Sequence, residues 1–256
     1  MDEIIKQVKS TKGGYALTTG LIKIVCFADD ALIIAENEDD LQRLLNAFYV
    51  KAKSLNMQIS ITKTKTLVVS KEPVRCKLSL ENKIIEQVMS FDYLGIQITS
   101  SQNRTNEVNG QANKASRISG ALRDIIWSNT FMNKKAKVRI YKTCVRPVLT
   151  YATETRADNQ KTKNIIRTTE MKILRNISGY TLRDRKRNTD IRHECQVEDI
   201  VRWGRKRRRA WNDHVDRMTT GRLAKIARDG IPRTRRPLGR PPKRWMDSWS
   251  SISQES

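Results

Sequence analysis

Ile24-Val25-Cys26-Phe27-Ala28-Asp29-Asp30-Ala31-Leu32-Ile33-Ile34-Ala35 is the stretch on which the fold of this chain turns. Two apolar runs, residues 21–26 and 31–35, flank a short break, and that pattern predicts a β-hairpin with Asp29-Asp30 at its tip. Aspartate is a common turn former, so the pair could do no more than make a soluble turn. Two adjacent carboxylates fixed at a hairpin tip also suit a hard cation, because Mg²⁺ takes oxygen ligands from one or two carboxylates plus substrate phosphates. The four residues around the tip favour the plain turn when read alone. The sequence on either side shifts the balance.

Upstream, residues 1–9 read as the end of a helix, broken by Gly13-Gly14. Downstream, Asn37 reads as an N-cap, with Glu38, Asp39 and Asp40 where negative charge suits the helix dipole. Leu41, Leu44, Leu45, Phe48, Ala52 and Leu55 then recur at helical spacing. Residues 57–61 and 66–69 read as short strands, and residues 77–80 and 84–88 as a hairpin around Glu81-Asn82-Lys83. Residues 91–99 read as one more strand. Residues 1–100 are therefore expected to form a β-rich unit with helices.

The character changes near Ser100. Helices are expected over 106–127, 134–153 and 161–177, with Pro147 kinking the second and Gly179 closing the third. A fourth is expected from about 197 to 218, with an apolar stripe of Val197, Ile200, Val201, Gly204, Trp211, Val215 and Met218. Its other face would carry Arg202, Arg205, Lys206, Arg207, Arg208 and Arg209. Six like charges on one helix repel, and a bound polyanion relieves that repulsion. Residues 230–244 hold four of the six prolines and many arginines, a composition that builds no core and reads as an extended tail.

The formal net charge is +23, and it is unevenly placed. Residues 1–100 hold 13 Lys and Arg against 12 Asp and Glu, whereas residues 101–256 hold 37 against 15. Such a field attracts polyanions, nucleic acid first among them. No stretch is long and apolar enough to span a membrane, and no lipidation signal is present. The acidic start, Met1-Asp2-Glu3, lacks a signal-peptide pattern. Cys26, Cys76, Cys144 and Cys195 lack paired spacing, which fits a reduced intracellular compartment, nucleus or cytoplasm, rather than a secreted protein. His193, Cys195 and His214 would need a distant fourth ligand to hold zinc, so a structural zinc is not expected.

The order of segments resembles reverse transcriptases of non-LTR (LINE-type) retrotransposons. The hairpin resembles their Tyr/Phe-Ala-Asp-Asp element, and Glu38-Asp39-Asp40-Leu41-Gln42 the start of the following helix. Residues 57–66 resemble the Leu-x-Ile-Asn-x-x-Lys-Thr segment, and Phe91-Asp92-Tyr93-Leu94-Gly95 the Tyr-Leu-Gly segment at the end of the palm. Residues 141–151 resemble a thumb helix. The block ending Gly239-Arg240-Pro241-Pro242-Lys243-Arg244-Trp245 is similar to tails of insect endonuclease–reverse transcriptase polyproteins. The resemblance implies an α+β fold: a partial palm of β-hairpins plus helices over 1–100, an all-helical thumb-like region over 101–180, a basic helical nucleic-acid-binding region over 181–229 and a disordered basic tail over 230–256.

The chemistry implied is RNA-directed DNA polymerisation by two metal ions, Mg²⁺ or Mn²⁺, on an RNA template and a DNA primer or target. Asp29 and Asp30 would be the catalytic metal ligands, and Lys63 would approach the nucleotide phosphates, although a surface lysine in a turn is an equal reading. Tyr93 and Leu94 would lie near the primer grip or serve as plain core. Arg205 to Arg209, with Arg233, Arg235, Arg236, Arg240, Lys243 and Arg244, would contact nucleic acid. If the six tail residues each neutralise a phosphate, log K should fall with log salt at a slope of about −5. Gly239-Arg240-Pro241 also resembles an AT-hook core, but Leu238 stands where an Arg is usual.

Several departures stand out. Asn56 and Ser60 replace the family's usual residues near the Lys-Thr segment, and Glu154 is followed by Thr155-Arg156 without the expected Trp. The family's first catalytic Asp, on an upstream strand, has no counterpart, nor has the nucleotide-pocket segment. The expectation is a polypeptide inactive alone, with an upstream polyprotein half as a possible partner. The alternative is a non-enzymatic, basic nucleic-acid-binding remnant.

Overall fold

The computed structural model describes residues 1–70, 72–101, 104–232 and 245. The chain is a mixture of helix and strand that divides into two units, Met1–Gln102 with Val215–Pro241 and Asn103–His214 with Pro242–Ser256. Among the described residues, no helix is long and apolar enough to cross a membrane.

In the first unit, α1 (Asp2–Ser10) leads into an antiparallel hairpin of β1 (Tyr15–Leu17) and β2 (Gly20–Ile22). A second hairpin, β3 (Ile24–Phe27) with β4 (Asp30–Ile33), carries the stretch quoted above. The apolar run 21–26, expected as one strand, is therefore split. Lys23 interrupts it, because its ammonium turns back to the carbonyls of Lys9 and Thr11 at the end of α1, where a cation suits the helix terminus.

Helix α2 (Glu38–Ser54) begins as expected, with the Asn37 side chain accepting from the Asp40 N–H at 2.8 Å. Its inward residues Leu44, Phe48 and Ala52 meet Ile4 and Val8 of α1 and Ile24 of β3 in one buried cluster. Full burial of each large member contributes about 1.5–3 kcal/mol. This cluster holds the β3–β4 hairpin in place, since a lone hairpin is marginal in water.

Residues 57–61, expected as a strand, form none. The Thr64 N–H and hydroxyl both return to the Ser60 carbonyl, at 2.9 and 2.8 Å, making a turn over residues 61–63. Ile59 and Ile61 still pack on the cores, so their alternation records burial without a ladder. A short parallel pair follows, β5 (Lys65–Thr66) with β8 (Glu86–Gln87), and between them the hairpin β6 (Ser79–Leu80) with β7 (Lys83–Ile84). Residues 91–99, expected as one strand, are a hairpin of β9 (Ser90–Tyr93) and β10 (Ile96–Thr99). Leu94 and Gly95 turn at φ +50° and +79°, the left-handed pair that a two-residue hairpin requires and glycine accepts without strain.

The second unit is helical: α3 (Arg104–Ala121), a wide turn over Arg123–Trp127, α4 (Lys134–Ile140), a second wide turn over Tyr141–Val145, α5 (Arg146–Leu149), α6 (Gln160–Ser178), α7 (Asn188–Cys195) and α8 (Ile200–Asp216). Pro147 cannot donate to the carbonyl one turn back, and the slip to a wider turn just before it accommodates the proline without ending the helix. Gly179, at φ +74°, closes α6 as expected. A single core drawn from α3 through α8 includes Ala115, Tyr141, Leu174, Ile191 and Ile200, so residues on both sides of position 180 share it.

The core also holds a buried acid. Glu170 accepts from Arg192 (2.9 and 3.1 Å), from the Tyr141 hydroxyl (3.2 Å) and from the Ile200 N–H (3.4 Å). Burial pushes its carboxyl upward, against the pull of Arg192.

Beyond α8, helix α9 (Leu223–Asp229) returns the chain to the first unit. The Thr19 hydroxyl donates to the Ile226 carbonyl, Thr18 N–H to Ile231 and Ile231 N–H to the Thr18 hydroxyl, while Leu17 bridges to Pro232. Residues 230–232, expected in the tail, are thus paired with the end of β1. Trp245 is likewise packed: its indole lies edge-on to Trp211 at 5.3 Å and donates to the Glu154 carbonyl at 2.8 Å.

Candidate functional site

The hairpin tip differs from the sequence expectation by one residue. Phe27 pairs with Asp30, so the two central turn residues are Ala28 and Asp29, and Asp30 opens β4. Ala28 holds φ +52°, a left-handed conformation at the first central position, where glycine is the usual occupant. Holding a Cβ there costs on the order of 1–2 kcal/mol. Asp29 and Asp30 are both exposed, and Phe27 beside them is 63% exposed.

Alternation along the strands explains this. Ile24, Cys26 and Ile33 belong to the face that packs on the cluster of α1 and α2. Val25, Phe27, Asp30 and Leu32 share the opposite face. The helices therefore fix the hairpin from one side and leave the carboxylates at its tip open to solvent and ligand.

Tyr93, at the end of β9, lies close to this hairpin. Burial raises the pKa of its phenol, and the charges of Cys26 and Asp30 add to the shift. Among the described residues its buried hydroxyl has no hydrogen-bond partner. The β9–β10 hairpin thus sets Tyr93 of the segment resembling the Tyr-Leu-Gly motif within electrostatic reach of Asp30. Lys63 is exposed on the turn after Ile61, and among the described residues no hydrogen bond or ion pair joins it to Asp29 or Asp30. Its neighbour Lys65 pairs with Glu86 at 2.5 Å.

Two exposed carboxylates suit a hydrated Mg²⁺ or Mn²⁺, which needs only one or two such ligands and keeps several waters. Among the described residues, no group of three or more His, Cys, Asp and Glu side chains could hold a metal ion. The donor set at the hairpin tip is chemically right for a hard cation and too small to bracket two. His193 and His214 are exposed, while Cys195 is buried with its thiol 3.2 Å from the Ser178 hydroxyl.

The basic helix α8 keeps the expected apolar stripe and gains one unexpected member. Arg208, expected on the charged face, is 6% exposed. Its Nη2 donates to the carbonyls of Thr153 (2.9 Å) and Arg156 (2.6 Å) and pairs with Asp158 (3.4 Å). Arg156 joins the same buried set through Glu107 and Asp158. The physical reason is helical position: Arg208 follows the buried Gly204 by one turn, and Gly204 lets α8 approach Thr153 closely.

Lys206, Arg207 and Arg209 are exposed and Arg205 is half-buried. Lys206 pairs with Glu198 and Arg207 with Glu154. Trp203 is flanked by the Arg146 and Arg207 guanidiniums at 4.6 and 5.8 Å. Arg233, Arg235, Arg236, Arg240, Lys243 and Arg244 lie outside the described residues.

Sequence reading missed a second basic feature. Arg167 of α6 meets Arg202 and Arg205 of α8 around Asp199 in an open cleft of about 530 Å³. Arg202 and Arg205 were visible as helix charges, but nothing in the sequence joins them to a residue some 35 positions away.

Residues 1–98 match the family model described as reverse transcriptase (RNA-dependent DNA polymerase). The chain is also similar to an uncharacterised transposon-derived protein of Caenorhabditis elegans, 28% identical over 237 residues, covering 87% of this chain and 82% of that protein. No solved structure matches.

Proposed function

We propose that this polypeptide, whose residues 1–98 match a reverse-transcriptase family model and which is similar to a transposon-derived protein, descends from a non-LTR retrotransposon polymerase and binds nucleic acid without extending a primer on its own. The observation that carries the reading is the β3–β4 hairpin: two exposed carboxylates on a helix-supported tip, with no third acid, His or Cys gathered beside them among the described residues. Asp29 and Asp30 would hold Mg²⁺ or Mn²⁺. When bound, such an ion supplies activation of a primer hydroxyl and neutralisation of phosphate charge. Two-metal transfer would need further carboxylates beside these, and the hairpin would supply Asp29 and Asp30 to that set.

The protein's own contribution is then binding and placement. Tyr93 lies within electrostatic reach of Asp30, and the excess positive charge of residues 101–256 draws the phosphate backbone of an RNA template or DNA primer. A separate polypeptide carrying the other palm strands would complete the site.

Primer extension with Mg²⁺ or Mn²⁺ on an RNA template tests the reading. The isolated chain is expected to yield no product while shifting the same primer–template in a binding assay. Extension abolished by Asp29→Ala would show a complete polymerase site and overturn it.

A further inference from the structure

Two turns of the helical unit hold apolar side chains out in solvent: Phe131 is 100% exposed and Leu182 is 80% exposed. Neither turn is slack. In the first, the Asn129 side-chain oxygen accepts from the N–H groups of Phe131 (2.9 Å) and Met132 (3.2 Å), and Asn133 caps α4 by accepting from the Ala136 N–H at 2.8 Å. The buried Lys137 ammonium then donates to the Trp127 carbonyl at 2.7 Å and closes the loop. In the second, Asp184, the one acid among residues 181–187, accepts from the Thr181 N–H and hydroxyl at 2.6 and 2.8 Å. Glu194 of α7 ties the two turns together. It accepts from Lys134, at the start of α4, at 3.2 Å, from Lys186 at 2.8 Å and from the Tyr180 hydroxyl at 3.0 Å. Arg183, Arg185 and Arg187 follow Leu182 and are exposed. Among the described residues, no hydrogen bond or ion pair engages their guanidiniums.

We propose that these two turns form a platform for single-stranded nucleic acid, on which Phe131 stacks an unpaired base while Arg183, Arg185 and Arg187 hold the adjoining backbone. The proposal rests on the nucleic-acid reading above and locates part of it. Three features select this ligand. An aromatic ring fully open to water stacks on any unpaired base, because every base has a π-face, and a single strand leaves those faces free. A guanidinium fork matches phosphate oxygens two at a time, which an ammonium does not. The turns are pinned by their own hydrogen bonds, so little order is lost when the strand arrives. A lipid surface asks for a continuous apolar helix face, whereas Phe131 and Leu182 stand on two turns.

The test uses the full chain and a fluorescein-labelled oligothymidylate, with anisotropy read across a series of KCl concentrations. Phe131→Ala should weaken binding roughly 5- to 150-fold, the loss of one stacked base, and leave the salt slope unchanged. Phe131→Tyr should keep the wild-type affinity, and Phe131→Leu should not. Arg183→Gln/Arg185→Gln/Arg187→Gln should make the slope of log K against log salt shallower by about 0.7 for each lost phosphate contact. All four positions are exposed, so the thermal melts should match wild type. An Arg235→Gln/Arg236→Gln variant serves as comparison. Wild-type affinity and slope in the Phe131→Ala and triple-arginine variants, with the Arg235/Arg236 variant weakened, would overturn the platform and leave the nucleic-acid reading standing. A wild-type chain that binds neither oligothymidylate nor duplex would overturn both. An equal loss on a duplex for Phe131→Ala would show contact without base stacking and overturn the single-strand assignment. Binding to phosphatidylserine vesicles that Phe131→Ala abolishes, with oligothymidylate binding unchanged, would assign the turns to a lipid surface and overturn the proposal.

Discussion

Arg208→Met separates a buried arginine from the exposed arginines of the same helix that are proposed to face nucleic acid. Methionine keeps most of the side-chain volume and removes the charge and donors. The Thr153 and Arg156 carbonyls, which now accept at 2.9 and 2.6 Å, would lose that donor inside the fold. Leaving a buried acceptor unpaired costs about 1–3 kcal/mol, so two such groups set a gross loss of roughly 2–6 kcal/mol. Two effects offset part of this. Burial already pushes the Arg208 guanidinium down, so removing the charge recovers desolvation, and the neighbouring charge of Arg156 no longer opposes it. Asp158 keeps its bond to Arg156 at 2.6 Å and to the Thr162 hydroxyl at 3.2 Å.

The net expectation is a destabilisation of about 3 kcal/mol, a large share of the 5–15 kcal/mol typical of a domain. In a unit of this size that lowers Tm by roughly 10 °C. Arg209→Gln, at an exposed position, should stay within about 0.5 kcal/mol of wild type and weaken duplex binding instead. Far-UV circular dichroism melts and duplex anisotropy, run on both variants, read the two effects separately. A wild-type melt for Arg208→Met, with binding lost as in Arg209→Gln, would refute the assignment of Arg208 to the interior.

Two other outcomes are expected. Ala28→Val should loosen the hairpin tip by about 1–2 kcal/mol, because a branched side chain suits φ +52° worse than alanine, and faster hydrogen exchange at the Phe27 and Asp30 amides would show it. Glu194 is held down to about 2 by hydrogen bonds from Lys186, Lys134 and Tyr180, well under its ordinary value of 4.5. The stability it contributes is complete above the ordinary carboxylate range and is lost as pH falls through 4.5 toward 2. Glu194→Gln should flatten the acid limb of the stability profile in that window, and an unchanged limb would show the ion pairs to be idle.

Local chemistry was legible in the sequence, and long-range placement was not. Asn37 and Gly179 announce helix ends because their capping geometry depends on neighbours three or four residues away. The Asp29-Asp30 hairpin was legible for the same reason, within one residue of register. Gly95 within 91–99 was the missed sign that one apparent strand is two. The alternation of residues 57–61 misled because Ile59 and Ile61 seek the core without a partner strand. Arg208 misled in the opposite sense: charge alone placed it outside, whereas its partners Thr153, Arg156 and Asp158 lie some 50 residues earlier and only folding brings them together. The Arg167 cleft and the pairing of Ile231 with Thr18 depend on contacts of the same long reach.

Manganese binding tests most directly whether the hairpin is half of a polymerase metal site. Mn²⁺ titrated into the full chain and into an Asp29→Asn/Asp30→Asn variant can be followed by water-proton relaxation. The wild-type chain should bind weakly, with Kd on the order of 10⁻³ M as expected for few oxygen ligands, and the variant should lose that binding. Undiminished binding in the variant, or no binding by the wild-type chain, would contradict the account.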